Sequence, residues 1–300
     1  MYDQVAQNRR RSVVLVGFFF VFTAMAATAI AYGVGLGAPG IAIAVVFAGL
    51  SAFGSYWKSD AIALAVSRAR PADEATYARL HNLVEGLCIA SGLPKPRLYV
   101  IDDVAPNAFA TGRNPQHAAI AVTTGLLERL DRVELEGVLA HELSHVKNYD
   151  ILVSTLAIVM LGVITLLADL SFRFHWLSGH RRNERSSAGP QAILAVFGLV
   201  MIMVGPIVAK LIHLAISRRR EQLADFSAVE MTRYPPGLIS ALEKLRADSS
   251  VVRSGSRATA HMWIEDPMAQ RAEDGHLSKL NRLFNTHPPL QQRIEALREL

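Results

Sequence analysis

The sequence predicts a mainly helical membrane protein with four spans and a soluble α+β domain that contains a small β-sheet. The first observation is four long apolar runs without a charged residue, at positions 13–32, 41–57, 151–168 and 192–209. Each run is close to the length of about 20 residues that a helix needs to cross a bilayer. The second observation is that charged segments follow each pair of runs, and the third is two short β-prone runs inside the first charged segment.

The paired runs divide the chain into four parts. Residues 1–57 form an N-terminal transmembrane hairpin, 58–150 the first half of the soluble domain, 151–216 a second hairpin and 217–300 the second half. Glycines and Pro39 at 33–40 predict a tight turn between the first two spans. The alternative for the first run is a cleavable signal peptide, but the run is long for that role and a second run follows at once.

Basic residues set the expected orientation. Arginines at 9–11 precede the first span and Lys58 follows the second, so the N-terminus and residues 58–150 are expected in the cytoplasm. The loop 171–190 fits this scheme less well, because it is basic although it should lie outside. The second pair of runs therefore either crosses the membrane twice, which we favour, or forms a re-entrant, partly interfacial hairpin. The basic residues of this loop are Arg173, Arg181, Arg182 and Arg185.

The composition indicates which kinds of binding partner the protein can have. The formal net charge is +5, and the basic residues cluster beside the apolar runs, which predicts contact with anionic headgroups of the lipid bilayer. No basic face is interleaved with aromatic residues, so no nucleic-acid partner is expected. The single cysteine, Cys88, excludes an intrachain disulfide and is interpreted as a small core residue.

Hydrophobic periodicity and the positions of glycine and proline predict the helices and strands of the soluble domain. Two β-prone runs at 97–101 and 118–122 are expected to form the small sheet, with a turn-rich loop at 106–115 between them. Residues 248–275 are rich in serine, glycine and charge and predict a mobile surface loop. An Asp131-x-x-Glu134 pattern predicts a capped helix start. Helices are predicted at 72–90, 123–130, 133–147, 217–232, 236–247, 276–284 and 289–300.

Two histidines four residues apart, His141 and His145, lie on the predicted helix 133–147. This spacing places both imidazoles on one helix face, where they can hold a single zinc ion. Glu142 is displaced around the helix, so it need not bind the metal and can instead move a proton between water and a leaving amine. The alternative is two histidines on an ordinary helix face, since the pattern is short.

A catalytic zinc needs a third protein ligand and one open position. Glu221 and Asp225 are four apart on the predicted helix 217–232, which suits one carboxylate on the metal and one that holds the N–H of a ligand histidine. The alternative is a solvated charged face just beyond a membrane span. That alternative accounts for the arginines at 218–220 better than for the paired carboxylates.

This combination of spans and motifs resembles the HtpX family of integral-membrane zinc metalloproteases, which is related to the type I CAAX prenyl endopeptidases. Segments 106–112 and 286–289 also match that family in their order along the chain and in their residues. The resemblance covers essentially the whole chain. It implies a gluzincin-type fold and one zinc ion per subunit, with Glu142 as the base. It also implies quality control of misfolded membrane proteins at a prokaryotic inner membrane, with the site facing the cytoplasm. The implied zinc ligands are His141, His145 and Glu221.

Further residues are candidates for substrate handling. His287 is a candidate donor to the oxyanion of the tetrahedral intermediate, or else caps the turn before the last helix. The strand at 118–122 is expected to bind substrate backbone by edge addition. Asn107 either holds the loop beside that edge, touches substrate, or is an ordinary turn residue. Arg293 is expected on an exposed helix face rather than as the partner of a site carboxylate.

The sequence argues against two other classes of membrane protein. A metal transporter needs ionisable residues inside its spans, and the four apolar runs contain none. A catalytically silent adaptor would lack the base, whereas Glu142 is present.

Overall fold

The computed structural model describes residues 2–33, 35–156, 159, 218–248, 250, 252, 262–264 and 288–300. The fourth apolar run, the loop 171–190, the predicted helix 276–284 and His287 lie outside the described residues. Of the third apolar run, the description covers 151–156, which is helical, and Val159.

Two long helices form the N-terminal part of the fold. Helix α1, Tyr2–Gly33, packs along helix α2, Gly37–Trp57. Among the described residues, α2 alone is long and apolar enough to cross a membrane, whereas the apolar part of α1, Val16–Tyr32, is shorter. The predicted turn between the two helices is confirmed. Gly35 adopts a φ of +80°, a left-handed conformation that glycine tolerates without strain.

Helix α2 presents a continuous apolar face to its surroundings. Ile43, Val46, Phe47 and Leu50 are all more than 60% exposed and line this face together. An exposed apolar surface of this kind marks contact with a membrane or a partner protein. Helix α3, Ser59–Val66, follows directly and leads into the soluble part of the chain.

A four-stranded mixed sheet lies next, in the order β1-β2-β4-β3. Strand β4 pairs in parallel with β2 and antiparallel with β3, while β1 pairs antiparallel with β2. The prediction that 97–101 and 118–122 share a small sheet is therefore confirmed. The strands are β1 Arg70–Pro71, β2 Arg97–Ile101, β3 Ala108–Gly112 and β4 Ala118–Thr123.

Two sequence predictions about this sheet are wrong. Residues 108–112 were expected within a loop but form β3, whose five residues are all buried and therefore lack the apolar–polar alternation that marks a strand. Strand β4 was expected to offer an edge to substrate, yet it lies between β2 and β3. Because both edges of β4 are already paired within the sheet, it cannot bind a peptide by edge addition.

Helix α4, Ala78–Ser91, contributes its predicted apolar side to a hydrophobic core that also contains Leu98 and Val100 of β2. Leu80, Leu83, Val84 and Leu87 belong to the main hydrophobic core. Cys88 lies in the same core, as predicted, and burial raises the pKa of its thiol to about 11. Gly92 ends the helix with a φ of +69°.

Helix α6, Arg132–Lys147, is the central element of the soluble part. It follows the short helix α5, Thr124–Arg129. The predicted cap is confirmed, because Asp131 accepts hydrogen bonds from the backbone of Val133 and Glu134 while the Glu134 side chain accepts one from the Asp131 backbone. Most residues of α6 are buried, so its polar side chains meet other protein groups rather than water.

Three further helices enclose α6. Helix α7, Arg218–Thr232, and helix α8, Pro235–Ala247, both pack against it. Helix α9, Leu290–Arg298, packs on α7 and α8. The close approach of α8 requires Gly137, where a Cβ atom would lie 2.8 Å from the backbone nitrogen of Leu238.

The described part of the segment 248–275 differs from the predicted mobile surface loop. Met262, Trp263 and Ile264 are buried, and the Trp263 ring packs edge-on against Phe109 with the ring centroids 4.9 Å apart. The Ile264 backbone N–H donates to the carbonyl oxygen of Ala108 at 3.0 Å. The prediction is wrong for these residues, because isolated apolar side chains in a polar sequence here fill the core beside β3.

Candidate active site

The structure brings together the two histidines of α6 and the first carboxylate of α7. His141 Nε2 and His145 Nε2 lie 3.2 Å apart. Glu221 Oε2 lies 3.6 Å from His141 Nε2, and Glu221 Oε1 lies 3.6 Å from His145 Nε2. The helical spacing of four supplies the histidine pair, and the packing of α7 on α6 supplies the carboxylate.

These separations suit a shared metal ion. Atoms that bind one zinc ion tetrahedrally at about 2.0–2.2 Å lie roughly 3.3–3.6 Å from each other. One ligand atom from each of His141, His145 and Glu221 lies within 4.8 Å of the other two. Two imidazoles and one carboxylate are also a donor set that catalytic zinc sites use.

The charges around the two histidines also bear on whether the site suits a metal cation. Four buried carboxylates and two buried guanidinium groups surround the histidines, so with neutral imidazoles the described cluster has an excess of two negative charges. Uncompensated buried charge is strongly unfavourable. A single divalent cation would neutralise this excess. The carboxylates are Glu142, Asp150, Glu221 and Asp225, and the guanidinium groups are Arg220 and Arg293.

Glu142 lies in the same buried environment. Its side chain is 1% exposed, and among the described residues its Oε2 atom has no hydrogen-bond partner. Burial raises the pKa of its carboxyl group; His141 and His145 act in the opposite direction, and the negative charge of Glu221 adds to the increase. A buried carboxylate oxygen without a protein partner is expected where water or substrate supplies the missing hydrogen.

Asp225 contacts His141 on the Nδ1 side of the ring and is itself paired with Arg293. Asp225 Oδ1 lies 2.9 Å from His141 Nδ1, and Arg293 contacts both oxygens of Asp225. Burial and Arg293 lower the pKa of His141, but Asp225 and Glu221 outweigh them, so its pKa is raised overall. The pKa of Asp225 is lowered even though burial opposes this, because Arg293 and His141 face its carboxylate.

His145 has its own carboxylate on the far side of the ring. Asp150 Oδ2 lies 3.5 Å from His145 Nδ1, and Asp150 Oδ1 lies 3.3 Å from Arg220 Nη1. Burial lowers the pKa of His145, yet Asp150, Glu221 and Glu142 together raise it to about 9. Each of the two histidines is thus in contact with an aspartate that in turn contacts an arginine.

Asn107 lies at the entrance to β3 and is buried. Its backbone N–H donates to Thr123 Oγ1 at 2.9 Å, and its carbonyl oxygen accepts from the Thr123 N–H at 3.0 Å. Its side-chain Oδ1 accepts from the Ala108 N–H at 3.0 Å. The structure therefore places Asn107 as a fixed link between β3 and β4, outside the metal-ligand cluster. His287, the other predicted catalytic residue, lies outside the described residues.

Sequence reasoning missed three residues around the site. Arg293 was expected on an exposed face and is 1% exposed, and Arg220 was attributed to a solvated face and is 7% exposed. A signal for Arg293 does exist, since it lies beside Ile294 and one turn from Leu290 and Leu297 on the apolar side of α9. Asp150 was overlooked because it lies beyond the end of α6.

Comparisons with known proteins identify the family to which the chain belongs. Residues 74–300 match the family model described as Peptidase family M48. The chain is 38% identical to "Protease HtpX homolog" of Streptococcus uberis, with all of both chains covered. It is 40% identical to "Protease HtpX homolog" of Caldanaerobacter subterraneus subsp. tengcongensis, covering all of this chain and 98% of that one.

A solved structure, "Crystal Structure of S. mikatae Ste24p", aligns with a TM-score of 0.49 and 20% identity over 84% of this chain and 57% of that chain. The family match covers more than half of the sequence and the similarity to the bacterial relatives extends over its whole length. The chain therefore belongs to peptidase family M48 and is a membrane-associated metalloprotease.

Proposed function

We propose that the protein is a zinc-dependent endopeptidase that cleaves misfolded or damaged membrane proteins and so serves membrane-protein quality control. The observation that carries this proposal is the buried cluster of His141, His145 and Glu221 with Glu142 beside it. The cluster combines a zinc-type donor set with a buried carboxylate oxygen, Glu142 Oε2, that has no hydrogen-bond partner among the described residues.

One zinc ion per subunit would be held by Nε2 of His141, Nε2 of His145 and the carboxylate of Glu221. When bound, it supplies a Lewis acid that polarises the scissile carbonyl and acidifies water. Asp225 accepts the Nδ1 proton of His141, which leaves Nε2 of that ring as the ligand atom. Arg293 fixes the orientation of Asp225 through two contacts.

Glu142 acts as the general base and then as the general acid. It takes the proton of the attacking water on Oε2 and delivers it to the nitrogen of the departing amine. His287 is the proposed donor to the oxyanion, in keeping with its position in the Thr286–Pro289 motif.

Strand β3 is the proposed neighbour of the substrate. It is the outer strand of the described sheet on the side of α6, which carries the histidines. Asn107 supports substrate binding indirectly, by fixing the start of β3 to Thr123 of β4. The outer edge of β3 already bonds to the Ile264 N–H at Ala108 and to Thr155 at Gly112, so backbone contact with substrate is confined to the stretch between them. Backbone contacts give weak sequence preference, as a quality-control protease needs.

The turn after β3 supports a membrane location for the substrate. Arg113 lies over the Trp57 ring, 4.5 Å from its centroid, and donates to the Trp57 carbonyl oxygen at 3.2 Å. This contact ties the site-bearing part of the chain to the end of α2, the helix that is apolar enough to cross a membrane. A site held so close to the end of this helix suits substrates that emerge from the bilayer.

The proposed location is the inner membrane of the cell, with several passes and with the N-terminus and active site in the cytoplasm. The flanking arginines and Lys58 support this orientation through the positive-inside rule. The proposed organisation is a transmembrane hairpin at 1–57, catalytic halves at 58–150 and 217–300, and a second transmembrane or partly re-entrant hairpin at 151–216.

Metal analysis combined with a cleavage assay tests the proposal. Detergent-purified full-length protein should contain about one zinc per chain and cleave an unfolded protein such as casein, and a chelator should abolish cleavage. Glu221→Gln should retain much less zinc than the wild-type protein. Equal zinc retention in the variant would exclude Glu221 as a ligand, and cleavage that survives complete removal of metal would exclude a zinc mechanism.

A further inference from the structure

The backbone reverses sharply just after the helix that carries the histidines. Helix α6 ends at Lys147, and Tyr149 adopts a φ of +58°, a left-handed conformation that is strained for a non-glycine residue. The Asp150 N–H then donates to the carbonyl oxygen of His145 at 3.0 Å. A strained residue of this kind persists only where its surroundings fix it, and the reversal brings Asp150 back alongside the second histidine.

The Asp150 carboxylate lies between two buried groups from different helices. One oxygen is 3.5 Å from His145 Nδ1 on α6, and the other is 3.3 Å from Arg220 Nη1 on α7. The side chains of Asp150 and Arg220 are 5% and 8% exposed, so water screens neither charge well. Asp150 therefore connects the helix that carries His145 to the residue that precedes Glu221.

We propose that Asp150 and Arg220 are positioning residues for the second histidine of the metal site. Asp150 Oδ2, 3.5 Å from His145 Nδ1, is placed to accept a hydrogen bond from the Nδ1–H, so that Nε2, which faces His141 and Glu221, carries no proton and can bind the metal. Arg220 holds the Asp150 carboxylate in place and offsets its charge. This inference rests on the proposed zinc site.

The first histidine shows the same arrangement, which supports the assignment. His141 Nδ1 faces Asp225, and Asp225 is held by Arg293. The two aspartate–arginine pairs approach the cluster from different elements, since Asp225 lies on α7 whereas Asp150 lies at the start of the helical residues 151–156. Each imidazole thus faces its own aspartate–arginine pair.

A second contact fixes the segment that carries Asp150. Thr155 Oγ1 lies 2.9 Å from Thr111 Oγ1 and accepts the Gly112 N–H at 3.2 Å. These bonds attach the first turns of the third apolar run to the end of β3. Because Asp150 directly precedes the helical residues 151–156, these bonds help to fix the position of Asp150 beside His145.

Zinc affinity and the spectrum of the cobalt form test this role without relying on turnover. Asp150→Asn, Asp150→Ala and Arg220→Gln would be compared with the wild-type full-length protein in detergent, using chelator competition for zinc and the visible absorption spectrum with Co²⁺. Loss of a carboxylate that supports a ligand histidine typically weakens metal binding roughly 10–100-fold. Asp150→Ala should show this loss together with an altered cobalt spectrum, and Asp150→Asn a smaller loss, since its amide oxygen still accepts the Nδ1 proton.

Asp60→Asn is the matched control. Asp60 is a buried carboxylate that pairs with Arg97, away from the metal cluster. The control should keep the zinc affinity and cobalt spectrum of the wild-type protein. If the folded Asp150 and Arg220 variants also keep both, the positioning role is wrong. Should Asp150→Ala fail to fold, Asp150→Asn and Arg220→Gln decide the question by the same criteria. A wild-type protein that itself binds no zinc would instead overturn the proposed function.

Discussion

Arg293 of α9 forms a two-point ion pair with Asp225 of α7, with Nε 2.9 Å from Oδ2 and Nη2 2.7 Å from Oδ1. The same guanidinium group donates from Nη1 to the Ile264 carbonyl oxygen at 3.2 Å and lies 3.3 Å from Nδ1 of His141. The last helix of the chain therefore supports both the first histidine of the site and the buried segment beside β3.

Replacing this arginine should destabilise the fold as well as the site. Arg293→Ala leaves the buried Asp225 carboxylate without its cation, and breaking a buried ion pair in this way typically costs about 3–5 kcal/mol. Arg293→Lys keeps the charge but cannot make both contacts, so it should lower the free energy of unfolding by less than Arg293→Ala does. Denaturant unfolding in detergent measures the difference.

Arg298→Ala on the same helix is the control for this experiment. Arg298 pairs with Glu243 at the surface, where 58% of its side chain is exposed, and solvent screening limits such a pair to about 0–1 kcal/mol. If Arg293→Ala unfolds at the same denaturant concentration as Arg298→Ala, the ion pair with Asp225 does not support the fold.

The contrast between His141 and Arg293 shows what the sequence reveals about this site. Residues held on one helix at a spacing of four, such as His141 with His145, can be paired from sequence because helical geometry is fixed. The contact between Arg293 and Asp225 joins positions 68 residues apart and depends on how two helices pack. No local pattern encodes that packing.

The same reasoning explains the errors in the sheet and in the segment after α8. Strand β3 is buried on both sides, so its residues show no period of two that would mark it as a strand. Trp263 occurs in a polar stretch, yet it is fully buried against Phe109. Both depend on tertiary contacts, whereas the Asp131 cap depends on local geometry and was predicted correctly.

The Glu134 carboxylate should make stability depend on pH at the acid end of the range. Burial raises its pKa, but Lys244, Ser240 and the Asp131 N–H outweigh burial, so the pKa in the folded state is lowered. A lowered folded-state pKa contributes stability that is present above the unfolded pKa of about 4.3 and is lost as the pH falls through the folded value.

Glu134→Gln measures this contribution. At pH 7 the variant should be less stable than the wild-type protein by roughly 1.5–3 kcal/mol, the range for hydrogen bonds to charged groups. The difference should begin to shrink below about pH 4.3 and disappear below the folded pKa. Unfolding curves collected from pH 7 down to pH 3 test this, and a difference that stays constant over the whole range would exclude Glu134 as its source.

Topology reporters test the orientation of the chain. A reporter that is active only in the cytoplasm should be active when fused after residue 100 or 240 and inactive after residue 36, because basic residues flank the outer ends of the first two spans. Activity after residue 180 would mean that the second hairpin is re-entrant, and inactivity that it crosses fully. An active fusion at residue 36 would contradict the positive-inside assignment.

Glu142→Gln separates the proton-transfer role from metal binding. Glu142 follows His141 directly, so it points around the helix from the face that the two histidines share. Glutamine keeps the shape of the side chain but cannot accept the proton. Zinc content and thermal stability should therefore match the wild-type protein, while cleavage of an unfolded or membrane substrate should fall by at least about 10²–10⁴-fold.

The result distinguishes three situations because zinc and turnover are measured on the same preparation. Loss of turnover with zinc retained is the outcome that a general base requires. Loss of both would mean that Glu142 supports the metal site, since a residue that only transfers a proton leaves the ligands His141, His145 and Glu221 intact. Turnover at the wild-type rate that chelator abolishes, which excludes contaminating proteases that need no metal, would remove Glu142 from the mechanism and leave its buried Oε2 atom, which has no hydrogen-bond partner in the described part of the chain, without a catalytic explanation.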